Sequence, residues 1–296
     1  MSEERLIEEV NDTISKTVKK NKEELDMALI KPLKPNYQFS SNGLYLYIGK
    51  MGSGKTLEII KHILITDKIS GSDDKSKDCN TYYNLIVFCS TSQGLDKTVQ
   101  TFLPKIKTPV AFVPDTSILG FLKRHIRRKK KYYAIVSFIN SELKKTNEEM
   151  KRIFAKHGLQ NRGKKLKYIA QKLLKYNCTN YPLNLLLVLD DFANHPLMRK
   201  PDSELVRIIT KGRHYNITSI LAVQTTKFVV KNCKRMCSDV VLWKGLSEDD
   251  WIDLMRELPH SFDSKQLWEE YHNLQNPHDH LEMHVYANSY KFVKGS

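Results

Sequence analysis

The run Gly49-Lys50-Met51-Gly52-Ser53-Gly54-Lys55-Thr56 constrains the fold of this chain more than any other segment. It follows an apolar stretch, Gly43-Leu44-Tyr45-Leu46-Tyr47-Ile48, and precedes a helical pattern from Leu57 to Leu64, so the order is strand, glycine loop, helix. The glycines let the backbone N–H groups of Gly52, Ser53, Gly54 and Lys55 converge on phosphate oxygens, where a side chain or the φ restriction of an L-residue would intervene. The helix N-terminus adds partial positive charge. Lys55 supplies a point charge for β- and γ-phosphates, and the Thr56 hydroxyl suits a Mg²⁺ ion. ATP with Mg²⁺ is therefore the expected cofactor pair, cradled by residues 49–56.

Further apolar runs read as buried strands: Leu85 to Cys89, Pro109 to Val113, Leu185 to Leu189 and Thr218 to Gln224. They lack polar alternation and are separated by helical segments, one of them from about Ser203 to Lys211, which predicts a mainly parallel sheet flanked by helices. Asp190 and Asp191 end the third of these runs. Two adjacent carboxylates at the tip of a buried strand are costly to desolvate without a cation. Asp190 is assigned to Mg²⁺ and Asp191 to polarising the attacking water; the other reading of Asp191 is an N-cap ahead of Phe192. Gln224 ends the next strand, so a parallel sheet delivers it to the same edge, where an amide can sense a γ-phosphate or orient water.

Charge is distributed unevenly. Lys and Arg number 48 against 33 Asp and Glu, a net +15, and residues 121–180 alone hold 18 cations against three acids. The rest of the chain is neutral. The densest part contains Lys123, Arg124, Arg127, Arg128, Lys129, Lys130 and Lys131. A localised basic block is the footprint of a polyanion such as DNA, its alternatives being a solvated helical face or another acidic partner. Tyr133-Ala134-Ile135-Val136, just beyond, reads as the start of a strand.

No apolar run approaches the roughly 18 residues that a spanning helix needs, and the start of the chain has no apolar core behind a positive end, so neither a membrane span nor a secretory signal is expected. Five cysteines without CxxC spacing suggest neither disulfides nor zinc and fit a reducing compartment. His272, His278, His280 and His284 are only loosely spaced for ligation and, without a cysteine partner, do not read as a metal site. Residues 1–36 read as a charged helical arm, 37–260 as the catalytic core with a basic helical insertion at 121–180, and 261–296 as a C-terminal extension. Ser247-x-x-Asp250 is a capping signature for a following helix, and Trp243, Trp251 and Trp268 read as core residues of that helically patterned region.

These elements, together with Leu187-Val188-Leu189-Asp190-Asp191 and above all Gly212-Arg213-His214-Tyr215-Asn216 leading into a strand that ends Gln224-Thr225, resemble the FtsK/HerA superfamily of DNA-translocating ATPases. The likeness is greatest to the poxvirus-type genome-packaging ATPases of large DNA viruses and their virophage relatives, and spans roughly residues 40–258. It implies an ASCE-type P-loop NTPase that moves double-stranded DNA into a capsid, working inside the host cell or virion. It also implies a homo-oligomeric ring in which Arg213, with Arg207 the alternative, reaches a neighbouring subunit's γ-phosphate. Capsid proteins are a further implied partner, and the basic block would face either them or DNA. Cellular members usually carry Glu where this chain has Asp191. Rival readings are a cellular-type helicase or translocase, a small-molecule kinase, and a nucleotide-gated DNA-binding scaffold.

Overall fold

Apolar runs without polar alternation bury both faces of a strand, and the chain does this for the central strands of one sheet, whereas the run at Pro109–Val113 forms an edge strand that is only partly buried, with Phe112 exposed. The computed structural model describes residues 43–70, 83, 85–90, 97–144, 152, 155–156 and 184–295. The proposed N-terminal arm and most of the basic insertion lie outside the described residues. The chain divides into two compact units, Pro32–Leu122 with Asn184–Ser296, and Met1–Lys31 with Lys123–Leu183.

The larger unit contains β1 (Leu44–Ile48), β2 (Leu85–Ser90), β3 (Val110–Phe112), β4 (Leu185–Asp190), β5 (Ile217–Val223), β6 (Asp239–Trp243), β7 (His280–His284) and β8 (Ser289–Val293), in the order β3-β2-β4-β5-β1-β6-β7-β8. The first six pair in parallel; β7 pairs antiparallel with β6, and β8 antiparallel with β7. Every residue of β1, β5 and β6 is buried. Alternate residues such as Tyr45, Tyr47, Phe88, Val188, Ala222 and Trp243 form a core with Ile59, Ile60 and Ile63 of helix α1 (Lys55–Ser70). Helix α2 (Lys97–Phe102) packs beside α1, and helix α3 (Asp115–Lys144) follows β3. After β4 come a 3₁₀ turn (Phe192–Asn194) and the short helices α4 (Pro196–Arg199), α5 (Glu204–Thr210) and α6 (Lys231–Met236); α5 packs on β5 and α6 on β1. The mainly parallel α/β architecture expected from the strand pattern is thus present.

Helices α7 (Glu248–Glu257) and α8 (Ser264–His272) lie between β6 and β7 in the chain. Their boundaries are chemically marked. The Ser247 hydroxyl accepts from the Asp250 N–H and caps α7, and the Asp263 carboxylate accepts from the Lys265 and Gln266 N–H groups and caps α8. Trp243 and Trp251 are buried, as expected, whereas Trp268 is only partly buried; Trp243 belongs to strand β6 rather than to a helix. Residues 261–296 contribute β7 and β8 to the same sheet as the phosphate loop.

Two readings of the basic region change. Tyr133-Ala134-Ile135-Val136 is helical, within the 30 residues of α3; the β-branched pair is too short a signal to interrupt a helix already propagating from Asp115. Lys129, counted among the cations facing a polyanion, is 0 % exposed. It falls on the same helical stripe as Ile118, Leu122 and His125, all buried, and that periodicity turns it away from solvent. Burial pulls its ammonium down to about 7. Lys123, Arg124, Arg127 and Lys130 are exposed, while the side chains of Arg128 and Lys131 lie outside the described residues.

Candidate nucleotide site

The strand-to-helix turn at residues 49–54 is held from both sides. The Gly49 N–H donates to the Val223 carbonyl at 3.1 Å, docking the loop on β5, and the Ser53 N–H turns back to the Lys50 carbonyl at 3.2 Å. Gly52 and Gly54 have φ of 78° and 104°, the region that favours glycine. Gly49 is glycine for another reason: a Cβ there would lie 2.6 Å from Ser53 Oγ and 2.8 Å from Trp243 Cβ. The loop leads directly into the N-terminus of α1. Ser53 Oγ is buried and makes no hydrogen bond, a polar atom that a phosphate oxygen would satisfy.

Lys55 is buried, and its ammonium donates to the Gly49 carbonyl at 2.6 Å and the Lys50 carbonyl at 3.0 Å. Burial lowers its pKa from the ordinary lysine value, against the opposing pull of Asp191 and Asp190. Those carboxylates stand at the tip of β4, whose register pairs Asp190 with Ala222 of β5. Asp191 adopts φ 55°, ψ 28°, a left-handed conformation uncommon for a residue with a side chain, and its N–H donates to the Ala222 carbonyl at 3.0 Å. It precedes the 3₁₀ turn at Phe192 but makes no side-chain capping bond, so the capping reading of Asp191 is set aside. Its carboxylate instead accepts both contacts of the Gln224 amide, Nε2 to Oδ1 at 3.3 Å and to Oδ2 at 3.4 Å. The two residues, 33 apart in sequence, meet because adjacent parallel strands end together.

Met51, Gly52, Ser53, Gly54, Lys55, Thr56, Asp190, Asp191 and Gln224 all line one cavity of about 860 Å³. Phe88 of β2, Phe112 of β3 and Pro114 also line it. Cys89 also lines it; burial, then Asp115, pushes its thiol up to about 12, so it stays protonated and unreactive. The donor set fits a hydrated Mg²⁺: Thr56 offers a hydroxyl and Asp190 a carboxylate, both hard oxygen ligands on the cavity wall.

Arg213 is not in this cavity. It sits on the exposed 3₁₀ turn Gly212–Tyr215 that precedes β5, at the opposite end of the strand from Gln224. Arg207, on α5, is exposed and also lies outside the cavity.

Sequence reading missed two supports of the site. The Nδ1–H of His278 donates to the Ser53 carbonyl at 3.1 Å across 225 residues, and the Gly295 N–H fastens to Asp279 Oδ1 at 2.8 Å beside it. Asp250 gathers the residues after Gln224: its carboxylate accepts from the Thr225 hydroxyl at 3.1 Å and the Thr226 hydroxyl at 2.7 Å. The capping signature at Ser247 found Asp250 for its N–H, but nothing local marks its carboxylate as the anchor of a distant loop.

Among solved structures, the chain is similar to the genome packaging NTPase B204 of Sulfolobus turreted icosahedral virus 2 in complex with AMP, at 10% identity and TM-score 0.47, covering 86% of this chain and 98% of that one. B204 of Sulfolobus turreted icosahedral virus, described as the DNA-packaging ATPase, aligns at 13% identity and TM-score 0.47 with the same coverage. EssC (ATPases 2 and 3) from Geobacillus thermodenitrificans aligns at 14% identity and TM-score 0.41, covering 84% of this chain and 39% of that one. No curated protein sequence matches. Among the described residues, no helix is long and apolar enough to cross a membrane. The family model described as poxvirus A32 protein matches residues 116–279, more than half of the sequence and the stretch that carries Asp190, Asp191, Arg213 and Gln224, and the chain belongs to that family.

Proposed function

We propose that this NTPase is a Mg²⁺-dependent ATP hydrolase that drives double-stranded DNA into a viral capsid, as a homo-oligomeric ring at the site of assembly. The observation that carries the reading is the split of polar groups between the two ends of β5. Asp191 and Gln224 pair at the rim that holds Lys55, whereas Arg213 stands at the other end. An arginine so placed serves a nucleotide only on a neighbouring subunit.

In this mechanism the loop N–H groups and Lys55 bind the β- and γ-phosphates, and Lys55 exchanges its two carbonyl contacts for phosphate oxygens. Thr56 and Asp190 would hold Mg²⁺, which when bound neutralises charge on the phosphate oxygens. Gln224 donates to Asp191 and thereby fixes the carboxylate, leaving its own carbonyl to accept from water. Asp191 takes a proton from that water as its oxygen bonds to the γ-phosphorus and the bond to the β-phosphate oxygen breaks. The neighbour's Arg213 stabilises the charge of the transition state.

Lys123, Arg124, Arg127 and Lys130, exposed on α3, form part of the grip on the DNA backbone. A motor must bind every step equally, which phosphate contacts do and base contacts do not. Steady-state ATP hydrolysis against protein concentration, with and without long duplex DNA at low salt, tests the proposal. Turnover that rises steeply with concentration and is stimulated by DNA is expected; turnover independent of both overturns it in favour of a self-contained NTPase.

A further inference from the structure

Beyond the nucleotide site, the C-terminal hairpin brings polar side chains against the base of α1. His280 and Glu282 are two residues apart on β7 and so share a face of the sheet. Glu58 lies in the first turn of α1, two residues after Thr56. Ligand atoms of Glu58, His280 and Glu282 all lie within 4.8 Å of one another. His280 is only 3 % exposed and Glu282 5 %.

The hydrogen bonding of His280 sets its tautomer. Nδ1 lies 3.2 Å from the His278 carbonyl, which can only accept, so Nδ1 carries a proton and Nε2 is the nitrogen left to face a ligand. Nε2 is buried without a hydrogen bond and faces Glu282 Oε1 at 3.4 Å. An imidazole nitrogen against a carboxylate, with a second carboxylate within reach, calls for positive charge between them, which either a proton on Nε2 or a metal ion supplies. Backbone-oriented imidazole of this kind is the usual outer support of a metal-binding histidine. Glu282 Oε2 pairs with Lys291 at 2.8 Å and Glu58 Oε2 with Lys61 at 3.0 Å, but both lysines are about half exposed and are free to swing into water.

We propose that Glu58, His280 and Glu282 form a binding site for a divalent transition metal of the zinc type, with one imidazole nitrogen and two carboxylate oxygens as ligands. The nitrogen donor separates it from the all-oxygen set at Thr56 and Asp190, and favours zinc over magnesium. Bound metal cross-links the first turn of α1, directly behind the phosphate loop, to the C-terminal hairpin. His278, whose N–H holds the Ser53 carbonyl, lies two residues from the ligand His280, so the same clamp steadies the loop from the hairpin side.

The test uses the full chain without nucleotide, stripped with EDTA and titrated with Zn²⁺ against a chromophoric chelator. About one zinc bound per chain is expected, with affinity falling on the order of 10- to 100-fold or more in Glu58→Gln and His280→Ala. Excess Mg²⁺ should not displace it. Because His280→Ala perturbs a buried site, Glu58→Gln carries the control: in EDTA its thermal midpoint should match wild type, and zinc should raise the wild-type midpoint but not that of the variant. Zinc binding with equal affinity to wild type and Glu58→Gln, or an equal thermal shift in both, overturns the proposal. A wild-type chain that binds no zinc does so as well, and leaves a protonated His280 bridging the carboxylates.

Discussion

Replacing Arg213 with alanine separates an arginine that serves its own nucleotide from one that serves a neighbour's. The seven residues of β5 lie between the turn bearing Arg213 and Gln224 at the cavity rim. At about 3.3 Å per residue a strand of this length spans about 23 Å, far more than any side chain reaches. The variant should therefore bind ATP with unchanged affinity and lose on the order of 10³-fold in turnover, the scale of a missing arginine finger. Lys55→Ala should be equally inactive but for lack of phosphate binding. Mixing the two dead variants is the decisive assay. In a ring of head-to-tail interfaces each site draws its loop from one subunit and its arginine from the next, so random equal mixing completes about one quarter of the sites. Recovery of ATP hydrolysis toward that fraction is expected in the mixture and in neither variant alone. Normal turnover by Arg213→Ala refutes the assignment outright, and a mixture as inactive as its components refutes action in trans. Arg207→Ala mixed in the same way tests the alternative arginine.

Three other outcomes follow from the geometry. Gly49→Ala forces a Cβ to within 2.8 Å of Trp243 Cβ, which β6 holds in place, and should cost about 1–3 kcal/mol in urea unfolding while weakening nucleotide binding; stability within about 0.5 kcal/mol of wild type contradicts the contact. Full burial depresses His62 from 6.5 to about 4, so between those values the unfolded chain takes up a proton that the folded chain refuses, and stability falls as pH drops. Unfolding free energy should decrease by about 2 kcal/mol from pH 7 to pH 5 through this residue, a dependence that His62→Phe removes; an unchanged pH profile in that variant refutes it. Converting Lys123, Arg124, Arg127 and Lys130 to Gln should flatten the salt dependence of DNA binding by about one unit of log–log slope per lost phosphate contact, whereas buried Lys129→Gln should leave the slope unchanged. Fluorescence anisotropy across salt concentrations measures both.

The parts of the site that are legible in sequence are those whose chemistry is contiguous. The phosphate loop needs glycines at particular dihedral angles inside one turn, and Gly52 and Gly54 take them up. Asp190 and Asp191 follow their strand without interruption, and a parallel sheet brings every strand's C-terminal tip to one edge, so Gln224 is found there too. Helical periodicity, properly applied, also separates the faces of α3: Lys129 shares a stripe with Ile118, Leu122 and His125, yet within a dense run of cations the count of charges hides that phase. Tyr133 to Val136 misled because four residues of high strand preference cannot outweigh a helix nucleated 18 residues earlier.

What the sequence determined by itself is therefore the class of fold, the phosphate cradle and the rim of polar residues around it, because these follow from local dihedral preferences and from the alternation of strands with helices. Packing of distant segments makes His278 a support of the loop from 225 residues away, sets Asp250 as the anchor of the segment after Gln224, and brings Glu58 to His280 and Glu282. Antiparallel pairing of β7 on β6, the strand next to β1, brings His278, His280 and Glu282 to the loop and to α1, and the packing of α7 brings Asp250 to the segment after Gln224. Register between strands distant in the chain is set by the burial of whole faces at once, and no spacing of residues along the sequence encodes which histidine that burial brings to which carboxylate.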